Sequence, residues 1–263
     1  YVASYYSRRW GFCLTHNQRL QLPDGSYHAV VDSDLAPGVL NYGELILSGK
    51  EEEEVLLSTY ICHPSMGNNE LSGICVTSAL VQWLSKMKER RYTYRIIFVP
   101  ETIGSIVFLS RHAEEIKQKA MAGFVITCVG DNNAYSFMPS RKGNTLADRV
   151  AKHVLNKQPV DYKEYSFLDR GSDERQYCSP LIDLPVVSIM RSKCGCYPEY
   201  HTSLDDLSFI SPQGLEGTYS VLQKCLLVLE SNFKYRAVFP CEPQFGKRGL
   251  YPTSITNTRE IAK

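Results

Sequence analysis

From Val55 onward, short continuous apolar runs alternate with helix-periodic segments, and this alternation limits the possible folds more than any other feature of the chain. Residues 55–61, 94–99, 124–129 and 185–190 read as strands, because short runs without polar alternation suit strands buried on both faces. Between them, residues 72–88 place Ile74, Ala79, Leu80, Val81 and Leu84 near helical spacing, and residues 105–120 and 144–155 also read as helices. A final helix spans about 212–229 with Pro212 in its first turn, where the missing N–H would have had no partner. Strands alternating with helices imply an α/β fold, a three-layer structure whose mostly parallel mixed sheet is flanked by helices.

The first fifty residues differ. Turn signals at Leu22-Pro23-Asp24-Gly25, Ala36-Pro37-Gly38 and Ser48-Gly49 separate β-prone runs at 27–31 and 44–47, so residues 1–54 are expected to form a small β-rich segment. The acidic tetrad Glu51-Glu52-Glu53-Glu54 reads as a solvated loop. Residues 55–231 form the expected core, and the pattern after Ser231 decays into a proline- and glycine-rich extension, 232–263.

Composition excludes several classes. With 29 Lys and Arg against 28 Asp and Glu, the net charge of +1 gives no bulk electrostatic reason to expect a nucleic acid or membrane partner. No run approaches the roughly 18 apolar residues of a membrane span. Nine cysteines is an odd number, and Cys62, Cys75, Cys128 and Cys225 lie in apolar segments, which reads as reduced core thiols rather than a disulfide scaffold. With no basic and apolar leader in view, a cytoplasmic location is expected.

Parallel sheets collect functional groups at the carboxyl ends of their strands, because the loops leaving those ends converge. Here the four strand ends carry Cys62-His63-Pro64-Ser65 with Asn68-Asn69-Glu70, then Pro100-Glu101-Thr102, then Gly130-Asp131-Asn132, and finally Tyr200-His201-Thr202. Imidazole and carboxylate together suit zinc. Alone, each residue has a plainer reading, His63 and His201 as hydrogen-bonded structural residues and Glu101 as a helix cap. Cys62 and His63 would point to opposite faces if both lay in a strand, which argues against a Cys/His nucleophilic pair.

The strings themselves resemble a known group. Asn69-Glu70-Leu71-Ser72-Gly73 looks like the Asp-Asn-x-Ser-Gly turn of cocatalytic zinc aminopeptidases. Gly171-Ser172-Asp173, followed by Ile182-Asp183-Leu184-Pro185, looks like their Ser-Asp-His and Gly-Ile-Pro stretch, and Tyr200-His201-Thr202-x-x-Asp205 resembles their Tyr-His-Thr-x-x-Asp motif. The longer strings at 58–66 and 170–176 resemble bacterial aminopeptidase-like-domain proteins, which add an inserted lid domain and a C-terminal winged helix to a zinc-exopeptidase-like core. The resemblance covers residues 4–252. It implies that residues 1–54 are an edge of the core or a remnant of the lid, and that 232–263 lead toward a domain this chain lacks.

Carried over, the resemblance implies a metal site built from His63, Asn69, Glu101, Asp131 and His201, with Glu101, Glu70 or Asp173 as the catalytic carboxylate. Two departures follow from the residues. Asn69 stands where those enzymes keep a bridging aspartate, and a neutral amide cannot offset the repulsion of two cations, so one zinc is expected rather than two. Thr102 follows Glu101 where they carry a second glutamate, so one carboxylate faces two tasks, ligand and base. The leading expectation is a zinc hydrolase of aminopeptidase type acting on a small peptide, amide or sugar-derived substrate. The alternative is a repurposed binding module, in surface-polysaccharide biosynthesis.

Overall fold

The computed structural model describes residues 8, 10–34, 36–63, 65–238, 240–241 and 244–250. Residues 1–7 of the expected β-rich segment, Pro64 of the first strand-end string, Pro243 and residues 251–263 of the extension lie outside them. The chain divides into two units, Tyr1–Glu230 and Ser231–Lys263. In the second, the described residues hold a single 3-10 turn, Gly246–Arg248, ended by Gly249 at a φ of 63°.

Seven strands build the first unit's sheet: β1 (Gly43–Leu47), β2 (Glu54–Tyr60), β3 (Thr93–Val99), β4 (Ala120–Val125), β5 (Tyr135–Met138), β6 (Tyr162–Glu164) and β7 (Val186–Met190), in the order β1-β3-β2-β4-β7-β5-β6. Pairs β2–β3, β2–β4, β4–β7 and β5–β6 are parallel, whereas β1–β3 and β5–β7 are antiparallel. Its helices are α1 (His16–Gln21), α2 (Ser72–Lys86), α3 (Ile103–Lys119), α4 (Leu146–Leu155), α5 (Glu174–Tyr177) and α6 (Pro212–Ser231).

Alternation along the central strands sorts their side chains into two layers. Val55, Leu57, Ile96, Phe124 and Val187 pack with Leu80 of α2, Val154 of α4 and Leu226 of α6. Their neighbours Leu56, Ile97, Val125 and Val186 pack on the other face with Phe108 and Ile116 of α3 and Tyr177 of α5. Each such side chain, fully buried, contributes about 1.5–3 kcal/mol, so the continuous apolar runs are held between helices on both sides. The three-layer α/β expectation matches this architecture. Among the described residues, no helix is long and apolar enough to cross a membrane.

Details depart from the sequence reading. Residues 27–31 carry no strand, and a short helix, α1, stands earlier, closed by reciprocal Thr15 and Gln18 capping bonds. All described residues from 8 to 41 are exposed, so no packing selects a strand there. Strand β4 starts at Ala120 rather than 124, because Ala120 and Ala122 already pair with Glu54 and Val55. Glu54 leaves the solvated tetrad: it is buried in β2, where Arg95 Nε donates to it at 2.6 Å. Of the four expected core thiols, Cys128 and Cys225 are buried, but Cys62 and Cys75 are exposed.

Candidate functional site

Strands β2 and β3 run parallel and in register, with Tyr60 opposite Val99, so the chain leaves both at one sheet edge. Ile61 N–H still donates to Val99 O at 2.9 Å, and past it neither segment is a strand. Cys62 and His63 therefore escape strand alternation. The expectation that they face opposite ways applied only if both lay in a strand, and neither does. A sulfur from Cys62, an imidazole nitrogen from His63 and a carboxylate oxygen from Glu101 lie within 4.8 Å of one another.

His201 lies beside this group. Its ring centroid is 5.1 Å from that of His63, edge to face, and it stacks on Tyr200 at 4.0 Å. His201 sits at a φ of 56° and Thr102, next to Glu101, at 63°. Left-handed backbone at residues bearing a Cβ costs about 1–3 kcal/mol and persists only where surroundings over-determine it.

Those surroundings are hydrogen bonds. Asp205, wholly buried, accepts Asn68 N–H at 2.6 Å and Asn69 N–H at 3.0 Å, which caps the π-helical turn Gly67–Leu71 that opens α2. The last residue of the Tyr-His-Thr-x-x-Asp string thus ties the His201 loop to the Asn69-Glu70 turn. Asn68 extends the knot: its Oδ1 accepts the N–H groups of Gly130 at 2.8 Å and Asp131 at 3.0 Å, and its Nδ2 donates to Asp131 Oδ2 at 3.0 Å. Asp131 also accepts from Asn133 N–H at 2.9 Å and from Ser192 N–H at 2.9 Å and Oγ at 3.0 Å. Its carboxylate organises loops and is not among the converging donors. Asn69 directs its amide nitrogen to Tyr60 OH at 2.8 Å, and its buried Oδ1 has no hydrogen-bond partner.

Glu70 clamps the end of β2. One oxygen accepts His63 N–H at 2.8 Å, Cys62 N–H at 3.1 Å and the Cys62 thiol at 2.9 Å, while the other is buried without a partner. Partial desolvation of the sulfur and this hydrogen bond push the Cys62 thiol up to about 12. Asp173 faces α3, accepting Thr102 N–H at 2.7 Å and Ser105 Oγ–H at 2.8 Å, so it caps the helix that follows Glu101; its second oxygen is buried and unpartnered.

Electrostatically the site is a cluster of acids. Among the described residues, none of Glu70, Glu101, Asp173 and Glu174 forms an ion pair. Burial, then the Asp173, Glu70 and Glu174 charges, lift Glu101 to about 7, with the Ser172 hydroxyl pulling it down. Its position at a helix start suggests an ionised carboxylate, but burial among acids outweighs the dipole when no cation is bound. Burial likewise lifts Asp173 to about 6 against its two hydrogen bonds. His201 is lowered by burial and by His63. Converging imidazole, carboxylate and thiol donors, buried oxygens without donors, and acids that form no ion pair among the described residues together fit a divalent metal, and this donor set suits zinc.

Arg175 pulls Asp173 down by its charge without an ion pair, and two other arginines bond outside the cluster. Arg191 donates to Asp131 O at 2.9 Å and Asn132 Oδ1 at 3.0 Å, and Asp183 pairs with Arg141 and Lys142 at 2.8 and 2.9 Å. Sequence reasoning missed Cys62, Asn68 and Ser105 as parts of the site, and it quoted Asp205 without giving it a role.

The family described as a domain of unknown function (DUF4910) matches residues 17–232. A Clostridium acetobutylicum protein, provisionally named a polysaccharide biosynthesis protein with aminopeptidase-like domain, is 44% identical over 252 residues, which are 95% of this chain and 57% of that protein. A crystal structure from the same organism, provisionally named a peptidase, superposes with a TM-score of 0.85 at 42% identity over 94% of this chain and 58% of the other. A zinc aminopeptidase from Bacillus subtilis shares the fold, with a TM-score of 0.60 at 16% identity over 71% of this chain and 49% of the other. The chain thus spans little more than half the length of the curated relative it matches.

Proposed function

Because this chain belongs to the DUF4910 family and to the bacterial aminopeptidase-like-domain proteins, we propose that it is a zinc-dependent hydrolase of aminopeptidase type acting on a small amide or peptide. The observation that carries this reading is the meeting of Cys62, His63 and Glu101, from two strand-end loops, within 4.8 Å, with the ring of His201 5.1 Å from that of His63. His63 and His201 would hold the metal. When bound, zinc supplies Lewis acidity to a substrate carbonyl and to water.

Glu101 is the carboxylate best placed to take a proton. It is partly exposed, whereas Glu70 and Asp173 are buried and each spends one oxygen on backbone N–H groups. One metal is proposed rather than two, since the position of the bridging carboxylate holds Asn69, whose amide nitrogen is committed to Tyr60. The nine free thiols favour a reducing, cytoplasmic setting. In the same reading residues 55–231 are the core, residues 1–54 its edge and residues 232–263 an extension, a division supported by the boundary after Glu230.

Turnover of a panel of aminoacyl amides by the native chain and by Glu101→Gln tests the proposal. Removing a general base costs about 10²–10⁴-fold, so Glu101→Gln is expected to retain zinc and lose turnover on that scale. A variant keeping full activity would reduce Glu101 to a loop residue. Asn69 and Thr102 favour a second reading, a binding module for a sugar or peptide, in keeping with the polysaccharide biosynthesis name of the curated relative. Stoichiometric zinc without turnover of any amide would favour it.

A further inference from the structure

We propose that Cys62 is a ligand of the metal, so that Cys62, His63 and His201 hold the cation and Glu101 stays free to act on water. The inference rests on the zinc reading above and answers its main difficulty. Asn69 and Thr102 remove two carboxylates from the site, which leaves Glu101 to serve as both ligand and base. A thiolate supplies the missing charge and the third ligand, matching the three protein ligands and one open position of catalytic zinc sites.

Geometry selects this thiol over the other eight. Cys62 is exposed at the open strand end, and its Sγ lies within 4.8 Å of a His63 nitrogen and a Glu101 oxygen. Glu101 N–H points at the sulfur at 3.4 Å, a backbone donor that would stabilise a thiolate. Cys128, by contrast, is wholly buried, with its sulfur 3.6 Å from Tyr197 OH and 3.7 Å from Asn69 Nδ2.

Glu70 is the independent sign that a ligand belongs here. It is 1% exposed, one of its oxygens has no partner, and the other already accepts the Cys62 S–H at 2.9 Å. On binding a cation the Cys62 thiol would give its proton to the Glu70 oxygen that already accepts it, and from there to solvent, leaving the thiolate as the ligand. The same Glu70 oxygen fixes the backbone N–H groups of Cys62 and His63, so both ligands are oriented before the metal arrives.

X-ray absorption on the zinc-loaded chain gives a readout independent of activity. The expected spectrum contains one sulfur at about 2.3 Å beside nitrogen at about 2.0–2.1 Å. In Cys62→Ser the sulfur shell is expected to vanish and zinc affinity to fall about tenfold or more, while Cys128→Ser keeps both. Bound zinc with nitrogen and oxygen neighbours alone would overturn the role of Cys62 and leave the zinc reading standing. A sulfur shell surviving in Cys62→Ser would assign it to another cysteine and overturn the proposal. No zinc uptake by the native chain would overturn both. The native spectrum decides the matter without any variant, and a cobalt-loaded sample showing no sulfur-to-cobalt charge-transfer band would contradict it equally.

Discussion

Asp205 touches none of the converging donors, yet the site depends on it. Its two carboxylate oxygens satisfy the N–H groups of Asn68 and Asn69, which would otherwise be buried without acceptors. Asp205→Ala is expected to destabilise the chain by about 1–3 kcal/mol, read from urea unfolding, since a buried donor left unsatisfied costs about that much. A loss below about 0.5 kcal/mol would mean that the turn is held by something else. Glu101 makes a second residue-level prediction. Its carboxyl rises from 4.5 in the unfolded chain to about 7 when folded. Between those values the folded, metal-free chain binds more protons than the unfolded one, so this group's contribution to stability falls as pH rises through the window. Thermal unfolding of the chelator-treated native chain is therefore expected to lose more stability between about pH 5 and about pH 7.5 than that of Glu101→Gln. Equal slopes would show that burial and the neighbouring acids do not raise Glu101.

At the scale of elements, the site is set by how closely α2 approaches the sheet. A Cβ added to Gly73, in the helix's first turn, would lie 2.5 Å from Ile126 O and 2.6 Å from Thr59 Oγ1. Gly73→Ala is expected to cost about 1–3 kcal/mol through overpacking, outweighing its gain of about 1 kcal/mol in helix propensity. An unchanged urea midpoint would show that the contact yields. The same scale explains what could be read from the sequence. Strands β2, β3 and β7 and helices α2, α3, α4 and α6 were legible because long apolar faces dominate their patterns. Strands β5 and β6, with four and three residues, were not, because so short a run carries no period and Tyr162–Glu164 is half polar. His63 and His201 were legible as strand-end residues. Cys62 was set aside because strand alternation was applied to it, although the apolar run 55–61 and β2 both end before it. Asn68 and Asp205 act through partners 63 and 137 residues away, a distance invisible to local reading.

Within the first unit, the loops following β2, β3, β4 and β7, together with the turn that opens α5, supply the residues of the site. Zinc would join loops that the sheet brings together but hydrogen bonds only partly fix, and it would give the acid cluster a counter-charge that no ion pair among the described residues supplies. The central claim is that this site holds a metal. Elemental analysis of the chain purified without added metal tests it directly, with His63→Ala and His201→Ala prepared alongside. The account predicts close to one zinc per native chain and a marked loss in each variant. A native chain without zinc, or one whose zinc survives removal of either histidine, would contradict it.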